Sequence, residues 1–443
     1  MSAVSSIELE YQLDSSALFT LLAQQPYPVF LDSSGYGGRV GRYDILSAAP
    51  VRHLSITQTM QASGYFSVMR ALQAEFMQPS LPTQVLPFSG GLIGYLGYPT
   101  QVGKDQLQLD DGFIGMYLWA VVIDHIDRTS HLVFHPACDA KTREFAQSLV
   151  TQSCTGIESQ TFTLTDEFTP TQSAAEYATG FERIKKYITA GDCYQVNLTQ
   201  EFVARCQGNP VTAYNMLRSA NQAPFSAYIG QENSALLCLS PERFVQSADN
   251  TVLTQPIKGT RPRAADPTRD QILRDELLNS EKDRAENLMI VDLLRNDLGR
   301  VCETSSIRVE KLFELLSFRG VHHLISTITG KLDARCDPID LLMNCFPGGS
   351  ITGAPKLRAM EIIQELESHQ RRIYCGSVYY LSADGRFDSN ITIRSLLWQP
   401  DELRCWAGGG IVMDSDCDAE YRECRDKIRP IVNALQTRQW SQG

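Results

Sequence analysis

Gly376-Ser377-Val378-Tyr379-Tyr380-Leu381 is a run of strand-forming residues, and Ala383-Asp384-Gly385 follows it as a tight turn. Ile391 to Leu397 reads as the next strand. So short a turn joins antiparallel neighbours, because a parallel partner needs a crossover of a dozen or more residues. Upstream and downstream, Gln195 to Phe202, Ala235 to Leu239 and Leu403 to Ala407 also alternate or are β-branched. Helical patterning begins at Ala174, where Tyr177, Phe181, Ile184, Tyr187 and Ile188 recur at three- and four-residue spacing until Gly191. The expectation is an α+β fold.

Working toward the N-terminus, residues 1–150 read as short strands with turns: Tyr27 to Leu31, Tyr117 to Ile123 and His131 to Phe134, with a glycine-rich stretch from Gly35 to Gly41. Residues 151–175, rich in Thr, Ser and Gln, read as a linker. The division expected is therefore a β-rich region over 1–150 and a catalytic domain over 176–435. A length of 443 residues agrees with two or three domains.

Composition narrows the function classes. The net charge of −11, without basic runs, argues against a nucleic-acid partner. No stretch reaches about 18 consecutive apolar residues, so no membrane span is expected. Met1 to Glu10 lacks the basic and apolar regions of an export signal. The 12 cysteines form no C-x-x-C pair, which fits reduced thiols and a cytoplasmic location.

Four segments carry chemistry. The first is Thr254-Gln255-Pro256-Ile257-Lys258-Gly259-Thr260, with Glu242 sixteen residues upstream in Ser240-Pro241-Glu242-Arg243-Phe244. A lysine on a short apolar segment is poised for burial, which lowers its pKa and frees a nucleophilic amine. A surface lysine at a strand end would share this local sequence. Second, Asp283 with Glu286 and Glu420 with Glu423 are acidic pairs of identical spacing on two candidate helices, the first capped by Asn279 or Ser280. Either pair alone could be ordinary surface acid; together they suit a hard divalent cation such as Mg²⁺.

Third, Phe346 to Lys356 and Gly408-Gly409-Gly410 read as glycine-rich turns whose backbone could approach an anion. Neither has the pattern of a P-loop or a dinucleotide fold. Fourth, Arg394 ends the β-branched run Ile391-Thr392-Ile393, as a partner for a carboxylate or as a surface ion pair.

In order along the chain stand Pro-Ile-Lys-Gly-Thr, Glu-Asn-Leu-Met-Ile-Val-Asp-Leu and Gly-Ser-Ile-Thr-Gly-Ala-Pro-Lys. Together they resemble the chorismate-utilising enzymes, which include anthranilate synthases, aminodeoxychorismate synthases, isochorismate synthases and salicylate synthases. The resemblance runs from about residue 175 to 430. It implies large, mostly antiparallel sheets forming a sandwich core with helices packed outside. Lys258 resembles the aminodeoxychorismate branch, since anthranilate synthases characteristically carry Ala there.

By the same resemblance, Glu286 and Glu423 are direct Mg²⁺ ligands, with Asp283 (where Glu is more usual) and Glu420 as outer partners. Gly259, Thr260, His323, Tyr374, Arg394, Gly408, Gly409 and Gly410 match positions that hold the substrate. A tryptophan pocket is implied at Ser33, Val40, Gly41, Arg42, Tyr43, Pro224, Phe225 and Ser226, with Gly41 standing where Ser is usual. The implied reaction takes chorismate and ammonia to 4-amino-4-deoxychorismate in p-aminobenzoate and folate biosynthesis. Glu242 would act as the acid and Lys258 as a covalent nucleophile. No Gly-x-Cys-x-Gly glutaminase signature is present, so ammonia is expected from a separate glutaminase subunit in a heterodimer. The rival readings are anthranilate synthase component I and an idle, tryptophan-binding regulatory subunit.

Overall fold

Strand pairing decides the architecture, and it is antiparallel for every paired strand described, including Ser377–Ser382 with Phe387–Asn390 across the Ala383-Asp384-Gly385 turn. The computed structural model describes residues 4–34, 41–56, 58–76, 86–103, 106–152, 161–318 and 320–436. Its strands form a 13-stranded sheet, a 10-stranded sheet and a small three-stranded one. Both large sheets are buried on a shared hydrophobic core, with the helices outside. Among the described residues no helix is long and apolar enough to cross a membrane.

The two sequence regions do not form separate sheets. Val29–Asp32 pairs with Phe225–Gly230 in the larger sheet, and Gly91–Leu96 pairs with Ser377–Ser382 in the second. Within 151–175, Phe162–Leu164 and Thr169–Pro170 both pair with the long strand Gln195–Gly208. The part of the expected linker from 161 to 175 thus contributes to the sheet.

Several chain segments cross between the two sheets, and two of the short ones carry candidate site residues. Leu118 separates Gly112–Tyr117 of the second sheet from Trp119–Asp124 of the first, which breaks the expected strand Tyr117 to Ile123. Pro241 and Glu242 join Ala235–Ser240 of the first sheet to Arg243–Ala248 of the second. Residues 391–394 return from Phe387–Asn390 to Ser395–Gln399. Ile391 to Arg394 is therefore a crossing and not the strand its β-branched residues suggest. Local propensity yields there to tertiary position.

The helices follow their sequence signals closely. Ala174–Ala190 starts at a Ser173/Glu176 capping box and ends at Gly191 with φ 82°. Glu281–Leu298 is capped by Ser280, whose hydroxyl accepts from the Asp283 amide, and it buries Ile290, Val291, Leu294 and Leu298. It packs on Ile257–Pro262 and Val321–Lys331, while Cys417–Gln436 packs on Glu402–Ile411. Those contacts bring both acidic pairs to the strands that hold Lys258 and the three glycines.

Candidate active site

Lys258 lies in a β-bulge. The pairing of Ile257–Pro262 with Val321–Lys331 is regular at Ile257↔Ile325 and at Thr260↔His323, but shifts between them. A bulge re-aims the side chains it carries. Gly259 completes it with φ +81°, and a Cβ there would fall 2.8 Å from Leu277 Cδ1 and 3.0 Å from Asp283. Glycine is thus required both for the conformation and for the approach of this strand to the acidic helix.

Lys258 is half-buried as a residue, and lost hydration at its ε-amine depresses the pKa. Glu286, Glu242 and Glu423 oppose that depression, which identifies them as its charged surroundings along with Lys427. The close ion pairs of Glu286 and Glu423 are with Lys282 (3.9 Å) and Lys427 (2.7 Å).

Glu242 is buried at the crossing between sheets, and its carboxyl pKa is pushed up to about 7. Burial is the dominant cause; a hydrogen bond from Ser350 Oγ to Oε1 (2.8 Å), the Lys258 charge and the Ile257 amide all oppose it. The crossing is fixed by its neighbour: Ile391 N donates to Glu242 O (3.1 Å), and Ser240 Oγ donates to Ile391 O (2.6 Å). A carboxyl that exchanges its proton near neutrality is suited to general acid work.

The four predicted metal-site acids converge from two helices. Glu286 feels Asp283 and Glu420, and Glu420 feels Glu423, each as like charge that raises its pKa after the effect of burial. Glu420 Oε1 accepts from Ser415 Oγ (2.8 Å), and a Cβ on Gly409 would sit 2.7 Å from Glu420 Oε2. Asp283 is engaged by Arg261 Nη2 at 3.1 Å. Among the described residues no three His, Cys, Asp or Glu side chains form a group that could by itself hold a metal ion. Magnesium needs only one or two carboxylates plus water, and the oxygen donors of these acids are of the type it takes, with Lys282 and Lys427 paired to Glu286 and Glu423 beside them.

Arg394 sits on the crossing between Phe387–Asn390 and Ser395–Gln399. This half-buried residue has φ 52°, an uncommon conformation for a non-glycine residue, and among the described residues its guanidinium forms no ion pair. Burial lowers its pKa, partly offset by Tyr374. Tyr374 is buried and stacked on Trp406, with centroids 6.4 Å apart. Thr260 Oγ1 lies 2.9 Å from His323 Nδ1, and burial together with Arg394 pulls the histidine pKa down to about 3. His323 is therefore a neutral group in contact with Thr260.

The expected turn at Gly408-Gly409-Gly410 is strand instead: Glu402–Ile411 runs unbroken beside Gln195–Gly208. Close packing explains its glycines, since added Cβ atoms would meet Leu198 O at 2.5 Å and Gln195 Nε2 at 2.7 Å. Lys356, at the end of the other glycine-rich segment, is bound to Asp297 (2.5 Å) and Cys345 O (2.9 Å), so that lysine is structural.

Two site residues escape sequence reasoning. Ser350 was visible only as part of a motif. Gln195 is wholly buried with both amide heteroatoms unpartnered, beside Gly410. A buried amide without partners is costly and is suited to meeting a polar ligand. Nothing in Tyr194-Gln195-Val196 signals that.

A separate cavity of about 350 Å³ lies between the two sheets. Gly41, Arg42, Tyr43, Pro224, Phe225 and Ser226 line it. Ser33 turns away to Asp44, with Oγ donating to Oδ1 at 2.7 Å, and Val40 lies outside the described residues. Gly41 has φ +81° and a Cβ there would come 2.8 Å from Pro224 Cβ, which accounts for glycine where serine was expected.

A family model described as chorismate binding enzyme matches residues 28–433. The chain is 42% identical to aminodeoxychorismate synthase component 1 of Klebsiella aerogenes, across 99% of this chain and 100% of the relative. It is 40% identical to the protein of that name from Escherichia coli K12, across 94% and 95%. Among solved structures, anthranilate synthase component I from Streptococcus pneumoniae superposes with a TM-score of 0.76 at 29% identity, over 88% of this chain and 92% of that one.

Proposed function

The chain belongs to the chorismate-binding enzyme family, and from that premise we propose that it is an aminodeoxychorismate synthase component I. In this reading it converts chorismate and ammonia to 4-amino-4-deoxychorismate, the branch leading to p-aminobenzoate and folate. The observation that carries the reading is Lys258, half-buried in its bulge within the fields of Glu242, Glu286 and Glu423. The names of the relatives support it, and their designation as component 1 supports a partner component.

In the mechanism, Arg394 takes one substrate carboxylate, being a half-buried guanidinium without an ion pair among the described residues. Glu286 and Glu423, with Glu420 and Asp283 behind them, would hold Mg²⁺. When bound, the ion supplies positive charge for the other carboxylate. Glu242 gives its proton to the C4 hydroxyl while neutral Lys258 forms a bond to C2. The ring double bonds shift, the C4–O bond breaks, and water leaves with the electron pair. Ammonia then adds at C4, the double bonds shift back, and the C2–N bond to Lys258 breaks. The lysine splits one displacement into two easier ones.

The test is product identification with chorismate, Mg²⁺ and either ammonium or glutamine. Ammonium should give the C4-aminated product, and glutamine should give none without a separate glutaminase. Anthranilate, or turnover with glutamine by this chain alone, would reject the reading.

The cavity between the sheets supports a second element. Its mixed aromatic and polar lining, and a volume of about 350 Å³, suit an amino acid with an aromatic side chain, and tryptophan is the proposed occupant. Equilibrium dialysis with labelled tryptophan should give one site per chain. Tyr43→Ala should weaken it, and no binding to the intact chain would reject it.

A further inference from the structure

One side chain in direct contact with the proposed acid has no role in the mechanism above. Ser350 lies in a short 3-10 turn, Gly349–Ile351, that is clamped on every side. A Cβ on Gly348 would come 2.6 Å from Ile391 Cδ1, and one on Gly349 would come 2.5 Å from Leu293 Cδ2 on the acidic helix. On the far side, Ile351 O accepts from Arg371 Nη1 (2.9 Å) and Asn197 Nδ2 (3.1 Å), and Asn197 N donates to Thr352 O (2.8 Å). So held, the Ser350 hydroxyl has a fixed position 2.8 Å from Glu242 Oε1.

A serine hydroxyl has one proton to donate. Donating it to Oε1 occupies that oxygen as an acceptor, so the proton on neutral Glu242 belongs on Oε2. We infer that Ser350 is a positioning residue that divides the two Glu242 oxygens between tasks, keeping Oε1 as anchor and Oε2 as the atom that delivers the proton to the leaving hydroxyl. This rests on the C4-amination reading. The step is balanced: the Oε2–H bond breaks, the proton goes to the C4 oxygen, and the carboxylate left behind keeps its hydrogen bond from Ser350.

That bond strengthens as the carboxylate forms, so it favours proton release and opposes the effect of burial. The other groups facing Glu242 are Lys258 from Ile257–Pro262, the Ile257 amide and the buried Cys375 thiol. None of these is altered by changing Ser350.

The experiment is kcat against pH for the wild-type chain, Ser350→Ala and Ser350→Thr, with chorismate and Mg²⁺ saturating and free ammonia held constant. Loss of the hydroxyl in Ser350→Ala should move the basic limb upward by about one pH unit, a tenfold change in proton affinity, and lower the plateau roughly tenfold. Ser350→Thr should leave the limb at the wild-type position. Should Ser350→Ala melt below the assay temperature, Ser350→Cys, a weak donor of similar size, must shift the limb in the same direction. A reduced plateau with an unmoved limb would make Ser350 a packing residue and overturn the inference. A limb displaced downward would mean that Ser350 accepts from Glu242, which also overturns it. Failure of the underlying reading looks different: the wild-type chain would then form no C4-aminated product at any pH.

Discussion

Lys258→Ala is expected to lower kcat for C4 amination at least about a thousandfold, or roughly 4 kcal/mol of transition-state stabilisation. The side chain faces the carboxylates of both acidic helices and of Glu242, and burial lowers its pKa, which favours the neutral amine. Alanine leaves binding groups such as Arg394 and the metal-site acids in place. KM for chorismate should therefore change by less than about threefold, since the lost interaction exists only along the reaction path. Steady-state kinetics with chorismate, Mg²⁺ and ammonium check this by chromatographic product identity. Undiminished C4 amination would remove the nucleophile. A switch to C2 amination would show that the same site, without its lysine, lets ammonia attack directly where the amine had done so.

Glu242→Gln is the second large effect, an expected loss of about 10²- to 10⁴-fold in kcat. Glutamine keeps the shape and can still accept from Ser350, but it has no proton of suitable acidity for the leaving hydroxyl. The pH dependence has a definite sign. The acid must be protonated, so wild-type activity should fall as pH rises through about 7. Stability runs in parallel, because a carboxyl whose folded pKa is raised from 4.5 to about 7 binds its proton more tightly when folded. Its contribution is fully present below pH 4.5 and is lost as pH rises through about 7, costing the native state roughly 3 kcal/mol above that. Glu242→Gln should consequently melt higher than the wild-type chain at pH 8 and match it near pH 4. An inactive variant that is more stable at alkaline pH is a signature that mere loss of packing cannot give.

Much of this site was legible in the sequence because short motifs carry it. The bulge that aims Lys258 is written in the Lys258-Gly259 step, since only glycine tolerates φ +81° so close to Leu277 and Asp283. The two acidic pairs were legible from their helical spacing, and Ser280 and Gly191 marked helix ends by ordinary capping chemistry. What stayed hidden is tertiary in origin. Ile391 to Arg394 reads as strand because it is β-branched, yet it crosses between sheets, and that crossing is what gives Arg394 its φ of 52°. Gly408 to Gly410 reads as a turn because runs of glycine usually mark turns. Their reason for being glycine is the proximity of Glu420 on the next helix and of Leu198 and Gln195, the last two remote in sequence. Likewise the burial of Gln195 depends on residues some 200 positions away, which no local pattern encodes.

The covalent role of Lys258 is tested most directly by the intact mass of the chain, acid-quenched after mixing with chorismate and Mg²⁺ in the absence of ammonia. A gain of one chorismate less one water, located on the peptide containing Lys258 and discharged when ammonium is added, is the predicted result. If 4-amino-4-deoxychorismate forms while the chain never gains that mass, and Lys258→Ala turns over at the wild-type rate, covalent catalysis by this lysine is contradicted.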